Sequence, residues 1–257
     1  WAFGRGKESW LIEHRVLMGD TARDAVWAAL SKMLAERWRH LSGAEVPLAR
    51  FAIDTGYATQ ESYAFVRSSR DPRIMAIKGV PRGAALIGTP TAVDLTVAGK
   101  KLRRGIKVYA VAVGIAKLEL YNNLRKSPEV AEDGVSVRYP GGYVHLPKVD
   151  AEYLQQLCAE QLITRRNRNG FPIREWQKIR ERNEALDCYV YARAAASAAG
   201  LDRFEDRHWR ELERQLGVEV SASAESAPPA SDESLAIADP GMRTPSRRVI
   251  KSRWLTR

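Results

Sequence analysis

Sulfur and imidazole are scarce in these 257 residues: there are two cysteines, Cys158 and Cys188, and four histidines. No CxxC occurs and no histidine stands at metal-ligand spacing from either cysteine, which excludes a disulfide framework and a zinc site of the usual kind. A reducing compartment is expected. Long apolar runs are also missing. Nothing approaches the roughly 18 residues of a membrane span, and no charged, apolar and small-residue succession resembles a leader. The expectation is a soluble, cytoplasmic protein that makes no membrane contact. A nucleotide loop is lacking as well: Gly6-Lys7 is followed by Glu8, where a Walker loop needs Ser or Thr, so ATP is not expected to bind this portion. The chain opens at Trp1 in mid-pattern, which predicts a fragment or a processed polypeptide.

What is present is ordinary apolar content, 45%, and a large excess of cations, with net charge +10 and pI near 9.7. The first allows one sizeable core. The second points to an anionic partner, of which nucleic acid is the commonest.

The hydrophobic pattern predicts an α/β protein. "ESWLIEHRVLMGD" alternates like a strand, with "GRGK" before it as a hairpin turn and the partner strand placed before Trp1. Apolar residues from Thr21 to His40 recur at helical spacing, with Asp20 as N-cap. "LARFAID", the helix within "TGYATQESYAFVRSSR" and "RIMAIKG" read as a βαβ unit, hence a partly parallel sheet covered by helices. "TAVDLTV" and "GIKVYAVAVG" read as further strands, and "IAKLELYNNLRK" as a helix. "YVHLP" is short and extended, and "DAEYLQQLCAEQLI" is a helix capped by Asp150. A strongly basic extended stretch, "TRRNRNGFPIREWQKIRERNEALD", leads into a helix over 183–199, and "RFEDRHWRELERQLG" is a last amphipathic helix. Residues 1–216 are expected to form the folded domain. Residues 217–257, rich in Ser, Ala and Pro and ending in "RTPSRRVIKSRWLTR", are expected to form a disordered basic tail.

Two acids stand out. Asp54 ends an apolar strand and is followed by Thr55-Gly56, which places its carboxylate at the carboxyl edge of the sheet, where ligands of open α/β folds bind. The plainer alternative is a turn or helix cap. Asp187 lies one turn into the 183–199 helix, with Glu184 three residues earlier; acids in a first turn also suit the helix dipole. That helix is otherwise small and apolar, so Asp187 sits against the core, where a buried carboxylate needs a partner such as a divalent cation. Two or three carboxylates drawn together repel unless a metal neutralises them, and such a set suits two-metal phosphodiester cleavage. Lys78 and Lys117 read either as phosphate or carboxylate contacts or as snorkelling lysines. His145 reads as a packed histidine rather than a base.

In their order, "GRGKESWLIEHRVLMGD", "AIDTGYATQESYAF", "MAIKG", "AKLELYNNL", "GGYVHLP" and "RNEALDCYVYARAA" resemble the large terminase subunits of tailed phages, of the GpA type found in lambda-like phages. The resemblance covers nearly all of residues 1–216. It implies an RNase H-like nuclease domain that cuts concatemeric viral DNA during packaging, using clustered acids and Mg²⁺ or Mn²⁺. It also implies double-stranded DNA, the small terminase subunit and the portal as partners, and the cytoplasm of a phage-infected or prophage-carrying bacterium as the location. On this resemblance Asp54 and Asp187 are the metal-binding catalytic acids, Glu184 a further catalytic acid, and Asn183, Arg182, Lys78 and Lys117 phosphate contacts or supports.

Two departures from the family pattern qualify this. The family's first metal-binding aspartate is expected upstream of Trp1, leaving the fragment weak or inactive, and neither Glu8 nor Glu13 has motif support as a substitute. An acid that relatives often carry three residues before the lysine of "AK" is Gly114 here. A non-catalytic, basic DNA-binding module or packaging adaptor is the alternative reading.

Overall fold

The structure is a computed structural model that describes residues 1–97, 100–131 and 135–218. The basic tail expected at 217–257 lies outside the described residues from 219 onward.

Chain order begins with a small ribbon, β1 (Ala2–Phe3) and β2 (Ser9–Trp10), then α1 (Asp24–Met33) and a second ribbon, β3 (Arg37–Arg39) and β4 (Glu45–Pro47). The central unit follows: β5 (Phe51–Asp54), α2 (Thr59–Ser69), β6 (Ile74–Val80), β7 (Thr91–Val97), β8 (Lys100–Ala112) and α3 (Val113–Asn123). Short strands β9 (Glu129–Val130), β10 (Val137–Arg138) and β11 (Val144–His145) lead to α4 (Ala151–Leu157) and the hairpin β12 (Glu160–Arg166) and β13 (Pro172–Lys178). Helices α5 (Glu184–Ala198) and α6 (Asp206–Gln215) complete the described chain.

The main sheet has the order β5-β6-β8-β7, parallel across the first three strands and antiparallel at β7. The βαβ reading therefore holds. Strand alternation sends Met75 and Ile77 of β6 to one face, where they join Leu120 of α3 and Leu186, Tyr189 and Val190 of α5 in the largest core cluster. Ala76 faces the other way, onto Tyr63 of α2. Ile53 packs with Phe65 of α2 and with Leu34, just past α1. The sheet is thus covered by helices on both faces, and α5 is buried because its inward side is almost wholly small or apolar.

Three local expectations change. The strand expected over residues 8–20 contracts to Ser9–Trp10, and its antiparallel partner is Ala2–Phe3, with "GRGK" as the connection. The helix expected from Thr21 to His40 ends at Met33, and its N-cap is Arg23 rather than Asp20. Trp38 instead pairs with Val46 across a turn in which Gly43 has φ +87°, so the glycine closes a hairpin. The helix beginning after Asp150 does receive that cap, Asp150 Oδ1 accepting from Tyr153 N at 2.7 Å, but stops at Leu157. Glu160–Ile163 joins β12, where seven residue pairs of the hairpin ladder satisfy the backbone.

Candidate active site

Asp54 reaches the carboxyl edge of the parallel sheet as expected, and it is exposed. Thr55 behind it is buried and donates its hydroxyl to Ile77 O at 2.8 Å, fastening the strand end to β6. The Asp54 carboxylate accepts the Gly56 amide at 3.0 Å, so the turn-forming role is real. It does not exhaust the side chain's surroundings, because the Tyr191 hydroxyl, whose titration is pushed up first by burial and then by the charges of Asp54 and Asp187, lies near it. Tyr191 stands one turn beyond Asp187 on α5, and the space its hydroxyl occupies over β6 depends on a glycine. A Cβ at Gly79 would lie 2.9 Å from the Tyr191 hydroxyl and 3.1 Å from Val113.

Asp187 is half-buried on the first turn of α5. Its carboxyl is held above the usual range, first by burial and then by the charges of Glu160 and Asp54, with Lys117 and Lys178 opposing. The two acids named from sequence therefore feel one another, and a third acid that sequence reading missed belongs to the same neighbourhood. Glu160, at the start of β12, is buried and takes both carboxylate oxygens to Lys117 Nζ at 2.7 Å. The Glu160 amide donates to Tyr121 Oη at 3.2 Å, so Lys117 and Tyr121, one turn apart on α3, hold both its side chain and its main chain. The snorkelling alternative for Lys117 is thereby replaced by a buried ion pair.

Asn183 links the acids. It occupies the N-cap position of α5 but makes no side-chain cap. Its Nδ2 donates instead to Asp187 Oδ2 at 3.1 Å and Glu160 Oε1 at 3.3 Å. Lys117, Glu160, Asn183 and Asp187 thus form one hydrogen-bonded chain, and Asp54 and Tyr191 stand close enough for charge to be felt.

Four residues named from sequence lie apart from it. Glu184 is exposed and meets Arg182 at 3.5 Å, while Arg182 also approaches Glu152 at 3.7 Å, a surface arrangement of small energetic weight. Lys78 is on the strand next to Asp54, but Asp54 is in register with Ile77, so Lys78 points to the opposite, α2-facing side. His145 is packed as expected, stacked on Trp10 at 4.7 Å and bonded to Glu8 at 2.8 Å. Glu8 is occupied by that contact and Glu13 by Arg15. Gly114 has a steric reason: a Cβ there would stand 3.2 Å from Pro81 O and 3.3 Å from Trp176 Nε1, so the β13 tryptophan fills the space an acid would need.

Glu160 was legible through Lys117. A lysine within "GIAKLELY", on a helix packed against an apolar sheet, demands an anion. Chain order gave no means of choosing which one.

The donor chemistry suits a hard divalent cation. Carboxylate oxygens are its usual ligands, and a cation relieves a carboxyl that is held up first by burial and further by neighbouring acids, as that of Asp187 is. Glu160 is already neutralised by Lys117, which leaves Asp54 and Asp187 as the acids free to hold an ion that keeps several waters. Among the described residues no group of three His, Cys, Asp or Glu side chains is arranged to hold a metal ion. No helix among the described residues is long and apolar enough to cross a membrane.

The described chain is thus an α/β protein with acids at the carboxyl edge of a mostly parallel sheet and a strongly basic charge balance. The profile for the terminase large subunit gpA endonuclease domain matches residues 1–209, and the chain belongs to that family. It is 30% identical over 201 residues to the terminase large subunit of Escherichia phage lambda and 27% identical over 199 residues to that of Enterobacteria phage P21. In each case 76% of this chain is covered, and the chain spans 29% of the relative's length. No solved structure matches the chain significantly.

Proposed function

We propose that this domain hydrolyses phosphodiester bonds of concatemeric double-stranded phage DNA during packaging, with Asp54 and Asp187 holding Mg²⁺ or Mn²⁺. The reading is supported by two acids 133 positions apart in sequence, Asp54 at the end of β5 and Asp187 on the first turn of α5, the helix that packs against β5. A divalent ion bound there supplies Lewis acidity at the phosphoryl oxygen and a water of lowered pKa. The chain's own residues do the rest. Asn183 orients the Asp187 carboxylate and Lys117 neutralises Glu160, so that the negative charge offered to a cation is that of Asp54 and Asp187. In the complete terminase the small subunit and the portal are the partners this reading supplies.

Supercoiled plasmid tests it. The polypeptide carrying this domain nicks in Mn²⁺, and Asp54→Ala and Asp187→Ala each abolish nicking without changing the far-ultraviolet circular dichroism. Equal cleavage in EDTA, or by the double variant, refutes the reading. The lack of a third metal-binding side chain among the described residues favours a second reading, a basic module that binds DNA without cutting it. That reading predicts salt-sensitive binding and intact plasmid under every metal condition.

A further inference from the structure

The β12–β13 hairpin grows directly out of the acid cluster. Its first residue is Glu160, and the residue directly opposite, the last of β13, is Lys178, whose charge reaches Asp187. From there two strands of seven residues run outward for about 20 Å. Alternation sorts their side chains. Glu160, Leu162, Thr164 and Arg166 share a face with Lys178, Trp176, Arg174 and Pro172. Trp176 packs that face at its base against Tyr121 of α3, 5.3 Å between centroids. Beyond Trp176 the same face carries Arg174 and Arg166, both exposed, with no acid among its residues after Glu160. Arg165, on the reverse face, is paired with Glu175 at 2.7 Å. The cations are therefore compensated on one face and left uncompensated on the face that leads back to Asp187.

The tip is built rather than loose. Asn167 Oδ1 accepts from both Asn169 N and Phe171 N, Asn167 N donates to Phe171 O at 2.9 Å, and Gly170 takes φ +80°. This fixed turn holds Phe171 outward, 66% exposed, among Arg166 and Arg168. A lone exposed apolar residue means little. One fixed at the tip of a basic two-stranded ribbon fits a particular partner, because a ribbon of this width enters the major groove and proteins that grip duplexes use apolar side chains against bases.

We propose that this hairpin is the arm by which the domain holds duplex DNA, with Arg166, Arg174 and Lys178 on phosphates and Phe171 against the bases. The proposal rests on the nuclease reading for its partner but not on metal or cleavage. Binding of the 257-residue chain to a fluorescein-labelled duplex, followed by anisotropy in EDTA across a salt series, tests it. Each lost phosphate contact lowers the slope of log affinity against log salt by about 0.9, so Arg166→Ala/Arg174→Ala lowers it by nearly two. Phe171→Ala weakens binding by about fivefold or more with the slope unchanged, the low end of what a base–aromatic contact contributes. Arg207→Ala/Arg210→Ala, the same charge change on α6, is the control and leaves affinity within about twofold. Hairpin variants that bind like the unaltered chain, or a control that falls as far as they do, overturn the arm while leaving the nuclease reading intact. Absence of salt-dependent binding by the unaltered chain overturns both.

Discussion

The two ends of α5 treat charge in opposite ways. Toward its C-terminal end, Arg193 is buried and fully compensated: Glu119 at 2.9 Å and Asp202 at 2.5 Å bind its guanidinium, and Asp202 also takes the Ser197 hydroxyl at 2.5 Å and Lys7 at 3.2 Å. That network joins α5 to α3, to the turn after α5 and to the start of the chain. At the N-terminal end, Asp187 faces two other acids, and the lysine between them is committed to Glu160. One end of the helix satisfies its charges within the fold, and the other leaves negative charge for something outside it. Compensated and uncompensated charges are separated here by less than two helical turns.

Breaking the compensated end produces the largest effect. Arg193→Ala leaves two carboxylates facing an emptied site, and losing one partner of a buried ion pair costs about 3–5 kcal/mol. In a domain of this size the thermal midpoint falls by roughly 10 °C, measurable by calorimetry. Lys117→Ala belongs to the same class, because Glu160 then stays buried without its cation, and comparable destabilisation is expected. Lys117→Met/Glu160→Leu restores most of the loss, since replacing both partners by apolar groups is often neutral. Full stability in the single Lys117→Ala variant contradicts the buried pair.

Much of this architecture was readable in the chain. The βαβ unit, the edge position of Asp54 and the burial of α5 follow from apolar runs of the right period ended by turn residues. Asp187 was readable as an acid in a helix too apolar to leave it in water. What escaped was long-range pairing. Nothing local in "CAEQLITRR" distinguishes the end of a helix from the start of a strand; the ladder with Pro172–Lys178 decides it, and with it the arrival of Glu160 beside Lys117. Lys78 failed for a related reason: proximity of parallel strands was legible, but which face each side chain takes depends on a register that only the paired backbones define.

The uncompensated end responds with opposite sign. Asp187→Asn removes a charge that burial and two neighbouring acids disfavour, while its side-chain oxygen still accepts from Asn183. The metal-free domain is expected to gain about 1 kcal/mol, some 2–4 °C in thermal midpoint. Mn²⁺, which stabilises the unaltered protein by binding the folded state, then produces no further shift. A site variant that is more stable and inactive separates catalytic acids from structural ones. Loss of stability in Asp187→Asn assigns the residue to the scaffold.

The last effect concerns acid. Burial alone would raise the Asp202 carboxyl, but hydrogen bonds from Arg193 and Ser197, with the Arg193 charge and Lys7, outweigh it and hold the group at about 2 against an ordinary 3.8. A depressed carboxyl binds fewer protons in the folded chain than in the unfolded one, so its contribution is complete above pH 3.8 and is lost as pH falls through about 2. Asp187, raised in the fold, acts the other way, and stability declines as pH rises through its titration. The unaltered domain should therefore lose the Asp202 contribution between about pH 4 and pH 2 in a denaturant series, and Asp202→Asn should flatten that segment while leaving the slope at higher pH unchanged. An equal slope below pH 4 in both proteins would show that the Arg193 network stays intact without the carboxylate, and would move the compensating charge to Glu119 alone.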